Sequence, residues 1–452
     1  MTIRWMAAAT AVALALANGV GEAQEPTRFI LHTTDVAEAG VLNRHGLTVL
    51  STLRDGVDRF LLVEPPAAVD VAELEVTVDA DADVLGFEPD LRVSVSERRE
   101  SPRLNQSTAA ILESFGQLTP VSYYGSTVPS SYAGQRSWSQ LGLAGVQAVA
   151  TGNGIVAVID TGVDATHPLL RDVVVSGYDF TRNVAGPATD VADLSQSTAA
   201  ILEQSTAAIL EQSTAAILEG SQVVLLNQST AAILEQSTAA ILESLPPAFG
   251  HGTMVAGLVH YVAPTARIMP LKAFHADGTS NLSDIVRAVY YAADHGARVI
   301  NLSFSTPESS HALSYAIKYA NKQAIAVAAA GNEGLAARMY PAGYSSVIAV
   351  GSATATNGRS AFSNYGDSSL KFALLGETLV TSYPGGHYAA VSGTSFSTAL
   401  MSGAVAVLAQ IDPGLDSGSA SKALRARALA VPGFTVGGVN LPAAVSETIK
   451  RK

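Results

Sequence analysis

The chain contains no cysteine. Disulfides, a thiolate nucleophile and a zinc–thiolate centre are therefore excluded. Charge is also scarce: Asp, Glu, Lys and Arg make up 15% of 452 residues, against 48% hydrophobic residues. That balance supplies a sizeable core and argues against a disordered chain. Bases are the scarcer sign, 27 against 39 acids, for a net charge of −12. Such a balance argues against nucleic acid or an anionic membrane as partner. The apolar run at 6–17 is short for a membrane span. Arg4 precedes it, and Gly21 and Ala23 stand as the −3 and −1 positions of a cleavage site. A secretory signal over 1–23 is the expectation, a membrane anchor or buried helix the alternative. After signal removal no stable membrane span is expected. An exported chain without disulfides must resist unfolding through core packing, ions or a high unfolding barrier.

The length predicts two or more domains. Residues 27–97 read as strand (28–32), helix (36–45), strand (47–53), strand (58–63), weaker helix (71–82) and a final strand region (84–95), with a turn at Asp55-Gly56. That is a β-α-β-β-α-β order, ferredoxin-like. Further on, apolar strands at 155–159, 267–273, 297–303, 324–329 and 346–350 alternate with helices such as 284–294 and 310–321. This alternation predicts an α/β fold, a mostly parallel sheet flanked by helices on both faces.

A near-perfect octad, Gln-Ser-Thr-Ala-Ala-Ile-Leu-Glu, recurs at 106–113, 196–203, 204–211, 212–219, 228–235 and 236–243. As a helix, eight residues advance about 800°, so the Ile-Leu pair drifts by about 80° per copy and no face stays apolar. As a strand the phase would hold, but Ala-Ala and Glu are poor strand formers. Either the octads are a repeat expansion tolerated in a surface loop, or they are cleavage sites or pseudo-substrates. The lone copy lies where a propeptide would be cut.

Three segments carry chemistry. Asp160 ends the apolar run Ile155-Val156-Ala157-Val158-Ile159 and enters Asp160-Thr161-Gly162. His251 opens Gly250-His251-Gly252-Thr253-Met254-Val255-Ala256-Gly257. Ser395 lies in Gly393-Thr394-Ser395-Phe396-Ser397-Thr398-Ala399, where a turn enters a run, 396–408, that reads as a buried helix. Hydroxyl, imidazole and carboxylate are the parts of nucleophilic acyl transfer. Each has a structural alternative taken singly: a helix N-cap, a structural histidine, a turn aspartate. Together, in the order Asp, His, Ser, they resemble the subtilisin-like serine proteases.

The resemblance implies the subtilisin fold, preceded by a small ferredoxin-like α+β prodomain. The implied organisation is a signal at 1–23, a propeptide at 24–103, a processing linker with one octad at 104–137, and a catalytic domain at 138–452 with an octad insertion at about 190–245. Asp160, His251 and Ser395 would be catalytic. Asn332, in Ala330-Gly331-Asn332-Glu333-Gly334, would donate to the oxyanion beside the Ser395 N–H. Ser303, Phe304 and Ser305 would flank an extended substrate, with Ala329, Ala330 and Gly331 opposite. Phe304 and Met339 hint at an apolar pocket. No cofactor is required for the chemistry. The usual calcium position carries Leu169, after His167-Pro168, so that site is expected to be absent, and no other metal is assigned. The implied partners are polypeptide substrates and the chain's own propeptide as inhibitor, in a secreted or periplasmic setting. Two rival readings are a protease-like peptide-binding protein with weak catalysis and a repeat-mediated interaction protein.

Overall fold

The computed structural model describes residues 27–67, 69–95, 119–195 and 245–452. The signal segment, the lone octad and the inserted octads lie outside the described residues. The chain divides into two compact units, the first ending at Leu91 and the second beginning at Arg92.

The first unit runs β1 (Phe29–Thr34), α1 (Glu38–His45), β2 (Thr48–Arg54), β3 (Asp58–Glu64), α2 (Val71–Asp79) and β4 (Val84–Pro89). Its sheet is antiparallel in the order β2-β3-β1-β4, the ferredoxin-like arrangement. Local chemistry sets the ends. Gly46 terminates α1 in the left-handed region at φ 63°. The Asp70 carboxylate caps α2 by accepting from Ala72 N and Glu73 N. Alternate strand residues Phe29, Leu31, Leu61 and Val63 point one way and pack with Val41, Leu74 and Val78.

The strand region expected over 84–95 is broken. Pro89 lacks the N–H that would extend the ladder. Asp90 turns back instead: its N–H donates to Arg28 O, and its carboxylate accepts from Arg28 Nη2 at 2.7 Å. The following residues join the second unit.

That unit begins with β5 (Arg92–Ser94) and the hairpin β6 (Pro120–Tyr123) and β7 (Ser126–Pro129). Then come β8 (Ile155–Asp160), β9 (Gly177–Asp179), β10 (Val184–Gly186), α3 (His251–Val262), β11 (Arg267–Lys272), β12 (Thr279–Asn281) and α4 (Leu282–Asp294). It continues with β13 (Ala297–Leu302), α5 (His311–Ala320), β14 (Ile325–Ala329), β15 (Ile348–Ala353) and β16 (Leu370–Leu375). The last elements are β17 (Leu379–Tyr383), β18 (His387–Val391), α6 (Thr394–Ile411), β19 (Leu429–Ala430), β20 (Gly437–Gly438) and α7 (Leu441–Arg451).

Ten strands form one sheet, ordered β10-β9-β11-β8-β13-β14-β15-β16-β20-β19. The run from β11 to β16 is parallel throughout. Its strands are rich in Val, Ile and Ala because both faces are covered. Val156, Val158, Val299, Ile325 and Val327 pack with α3 and α6. The alternate residues Ala157, Ile159 and Ile300 are also buried, on the side covered by α4 and α5. β8 pairs with β11 on one side and β13 on the other. The strand order therefore reverses at β8, and the crevice outside its carboxyl end is where such sheets bind ligands.

α6 is long and apolar enough to cross a membrane, but it is buried as a core helix. It lies close to α3 because Gly403 has no side chain: a Cβ there would stand 2.7 Å from Val262 Cβ.

Residues 120–133, assigned to a processing linker by sequence, are instead folded into the second unit. Tyr132 is fully buried and donates its hydroxyl to Gly257 O at 2.9 Å. Tyr123 likewise donates to Tyr261 O at 2.5 Å. Burial of these two rings against α3 fixes a segment that the resemblance alone placed in a linker.

Candidate active site

Asp160 is placed by the termination of β8 at the reversal point. Its carboxylate is 1% exposed. Oδ1 accepts from Thr161 N at 2.7 Å and from His251 Nδ1 at 2.7 Å. An ionised carboxylate can only accept, so the proton is assigned to Nδ1, which leaves Nε2 as the basic nitrogen.

His251 is the first residue of α3 and is fully buried. Its glycine neighbours set its position. Gly250 takes φ 84°, a left-handed conformation that favours glycine. A Cβ on Gly252 would lie 2.2 Å from Gly162 O, so only glycine lets α3 press onto the Asp160 loop. Two threonines tie helix and loop together. Thr161 Oγ1 accepts from Gly252 N at 3.1 Å, and Thr253 Oγ1 accepts from Asp164 N at 2.9 Å.

Ser395 lies in the first turn of α6, where N–H groups have no intrahelical acceptor. It is 3% exposed. Its hydroxyl donates to Ser303 O at 3.1 Å rather than to the imidazole. Ser303 Oγ in turn donates to Ser395 O at 3.0 Å and accepts from Asn301 Nδ2 at 2.7 Å. These bonds lace the end of β13 to the start of α6. The ring of Phe396, the next residue, lies 5.6 Å from the His251 ring. The first turn of α6 and the imidazole therefore flank the same space. Gly393 is extended at φ 161°, so a turn requiring glycine is not its role. A Cβ there would instead stand 3.7 Å from Asn332 Nδ2.

Asn332 Oδ1 accepts from Thr394 N at 2.9 Å and from Thr394 Oγ1 at 2.8 Å. With the oxygen end occupied, Nδ2 is the end of the amide oriented to donate.

The segments expected to hold substrate divide in two. Ser303 and Phe304 are fully buried, and the Phe304 ring packs 5.1 Å from Phe274. The Phe304 side chain thus belongs to the core. Ser305, Ala329 and Ala330 are buried more shallowly or at strand ends, and Gly331 takes φ 98°. Ala330 lines a cleft with Met339, Ala342, Asn364 and Tyr365.

Sequence reasoning missed β12. Thr279–Asn281 pairs antiparallel with Arg92–Ser94, and Val95 N donates to Gly278 O at 2.9 Å. This is an edge already holding an added strand. The available signal was the Asp277-Gly278 turn before a short polar segment. It gave no role to Thr161 and Thr394, although both stand within the quoted motifs.

Leu169 lies in the hydrophobic core at 2% exposure. Asp164 nearby is occupied, Oδ1 by Thr166 and Oδ2 by Gly385 N. A hydrocarbon offers calcium no oxygen, so this position does not fit the calcium ligand of the family pattern. Among the described residues no group of three or more His, Cys, Asp or Glu is arranged to hold a metal.

The model of the subtilase family, peptidase S8, matches residues 152–435, more than half of the chain. The chain belongs to the subtilase family. It is similar to a thermophilic serine proteinase of Bacillus sp. (strain AK1), 33% identical over 265 residues, covering 56% of this chain and 51% of that protein. It is similar to thermitase of Thermoactinomyces vulgaris, 31% identical over 273 residues, covering 58% of this chain and 77% of thermitase. The chain thus spans about half the length of the first of these relatives. Among solved structures, fervidolysin of Fervidobacterium pennivorans, described as a keratinolytic enzyme related to subtilisin, matches with a TM-score of 0.64 at 21% identity. That match covers 94% of this chain and 62% of fervidolysin, and shares the fold.

Proposed function

We propose that this chain is an exported serine endopeptidase that cuts peptide bonds through an acyl-enzyme on Ser395. The supporting observation is the buried Asp160–His251 hydrogen bond at the reversal point of the sheet, beside the first turn of α6. Ser395 Oγ attacks the peptide carbonyl. His251 Nε2 takes its proton and passes it to the leaving amine, while Asp160 holds the tautomer and stabilises the imidazolium. The Ser395 hydroxyl leaves Ser303 O and turns toward the imidazole as substrate binds; catalytic hydrogen bonds often tighten only in the Michaelis complex. The Ser395 N–H and Asn332 Nδ2 stabilise the oxyanion. In the second step water attacks the acyl carbon as His251 takes its proton, the bond to Ser395 Oγ breaks as His251 returns that proton to Oγ, and the acid product leaves.

The same reading covers processing. Residues 92–95 lie as a strand on β12 within the second unit. This pairing supports an extended peptide, including the chain's own propeptide, binding by strand addition. Secreted or periplasmic placement rests on the N-terminal signal pattern.

The Ser395 hydroxyl on Ser303 O favours one rival, a peptide-binding protein of weak catalysis. Fluorophosphonate labelling separates the two. The expected result is stoichiometric label on the wild-type protein and none on a folded Ser395→Ala variant. Label retained by that variant, or no label on wild type, refutes the proposal.

A further inference from the structure

Asp190, at the start of the segment that sequence assigns to the octad insertion, lies in the short 3-10 turn Asp190–Asp193, ahead of the first inserted octad at 196. It is fully buried. One oxygen, Oδ2, accepts from Gly250 N at 2.5 Å and from Thr161 Oγ1 at 3.3 Å. Those two residues are the chain neighbours of His251 and Asp160. Thr161 Oγ1 also accepts from Gly252 N, on the other side of the histidine. Oδ2 is thus a single anchor through which the backbone before His251, the backbone after it and the residue after Asp160 are joined. The other oxygen, Oδ1, is buried without a hydrogen-bond partner among the described residues.

The geometry points to Asp190 as a positioning residue for the reaction: its carboxyl group sets the angle and separation of the Asp160–His251 pair without touching substrate. This rests on Asp160, His251 and Ser395 being the catalytic set.

Burial, with no directly bound countercharge among the described residues, makes the role sensitive to pH. Lys272 Nζ lies close, but it is committed to Asp193 Oδ2 at 2.7 Å, Thr161 O at 2.8 Å and Phe274 O at 2.7 Å. Asp193 is also held by Arg182, which pairs with Asp179. Beyond Thr161 and Gly250 stand Asp160 and His251. Among the described residues no cation is bound directly to Asp190, and burial pushes its carboxyl up to about 7, offset in part by the Gly250 bond and the Lys272 charge. As it ionises, its hold on the Gly250 N–H and the Thr161 hydroxyl becomes charge-assisted, which tightens the anchor beside His251.

The test compares Asp190→Ala, which removes the acceptor, with Asp190→Asn, whose carbonyl oxygen can still accept both bonds. Rates are normalised to sites titrated by a fluorophosphonate, so that loss of folded protein does not count. Asp190→Ala is expected to lower kcat by roughly 10–100-fold with KM nearly unchanged, the scale expected when a catalytic group is slightly misplaced. Asp190→Asn is expected to restore most of that loss. It should also narrow the acidic limb of the kcat/KM profile to a single ionisation. A wild-type kcat in Asp190→Ala, or Asp190→Asn as impaired as Asp190→Ala, overturns the inference. If Asp190→Ala does not fold, the profile of Asp190→Asn decides: a limb of unchanged shape overturns it. Ser395→Ala, run alongside, isolates the underlying assignment, since label or turnover retained there sinks that assignment instead.

Discussion

Replacing Asp160 by asparagine probes the proposed catalytic pair most directly, because the structure dictates how the amide must sit. Oδ1 of Asp160 accepts two hydrogen bonds, from His251 Nδ1 and Thr161 N. Oδ2 is buried with no hydrogen-bond partner among the described residues. An amide with its NH2 at the Oδ1 position would face two donors and push His251 into the wrong tautomer. With its oxygen there, it keeps both bonds and leaves its NH2 buried without an acceptor, at about 1–3 kcal/mol. Loss of two bonds costs more than one unmade donor, so the oxygen stays at Oδ1 and the tautomer is preserved. What remains lost is the charge. A unit charge about 4 Å from the imidazolium contributes about 4 kcal/mol at an effective dielectric of 20, or roughly 10³-fold in rate. The expected result is therefore a kcat about 10³-fold below wild type, at unchanged KM, on a peptide substrate near neutral pH. A triad aspartate whose amide replacement forces the wrong tautomer loses about 10⁴-fold. A fall of that size, or greater, would show that the Thr161 N–H does not control the orientation. A fall under tenfold would remove Asp160 from the mechanism.

The remaining predictions use the same kind of measurement. Asn332→Ala should lower kcat by about 10²–10³-fold, the loss typical of one oxyanion donor, with a small change in KM; a KM effect alone would make Asn332 a substrate contact. Gly403→Ala places a Cβ 2.7 Å from Val262 Cβ and 3.0 Å from Val259 O, and should destabilise by about 1–3 kcal/mol in denaturant unfolding; unchanged stability would mean that α3 and α6 can part there freely. Asp190 gives a stability trend with pH. Its carboxyl is raised from 3.8 to about 7 by burial, so the folded chain keeps a proton that the unfolded chain has released. The stability it contributes is complete below about pH 4 and is lost as pH rises through about 7. The Tm of wild type minus that of Asp190→Asn should fall across that window, and a flat difference refutes the shift.

The limits of sequence reading follow from where each signal resides. β8, β11, β13 and β14 end within one or two residues of the sequence reading, because their buried runs of Val, Ile and Ala stop where polar residues begin. His251 and Ser395 were legible as helix-starting residues because glycine and small polar neighbours mark those starts locally. Features that depend on distant partners were not legible. The 84–95 segment reads as one strand by hydrophobicity, yet Pro89 and the Arg28–Asp90 pair divide it between two sheets. Residues 120–133 read as a connector until Tyr123 and Tyr132 are seen bonded to the backbone of α3. Phe304 lies beside a polar strand end, which suggests a subsite, but its ring turns inward to Phe274.

Asp190 is the strongest case. Its partner Gly250 is 60 positions further along the chain, beyond the octads. An aspartate in Thr189-Asp190-Val191-Ala192-Asp193 looks like an ordinary cap on a polar turn. Only the fold reveals that the turn closes against Gly250, the residue before His251. Asp190 stands before the first inserted octad and Gly250 after the last, so the carboxylate joins the described residues that flank the octads. The same flanks are joined as well by Asp193 to Lys272 and Ala276 N, and by Ala248 N to Ala276 O. Shortening the array by one octad should accordingly leave kcat unchanged in wild type. In the Asp190→Ala background the same deletion should alter kcat, since the flank nearest His251 has lost its tie to the turn at 190–193. Equal sensitivity in both backgrounds would show that the array is isolated from the site by something other than Asp190.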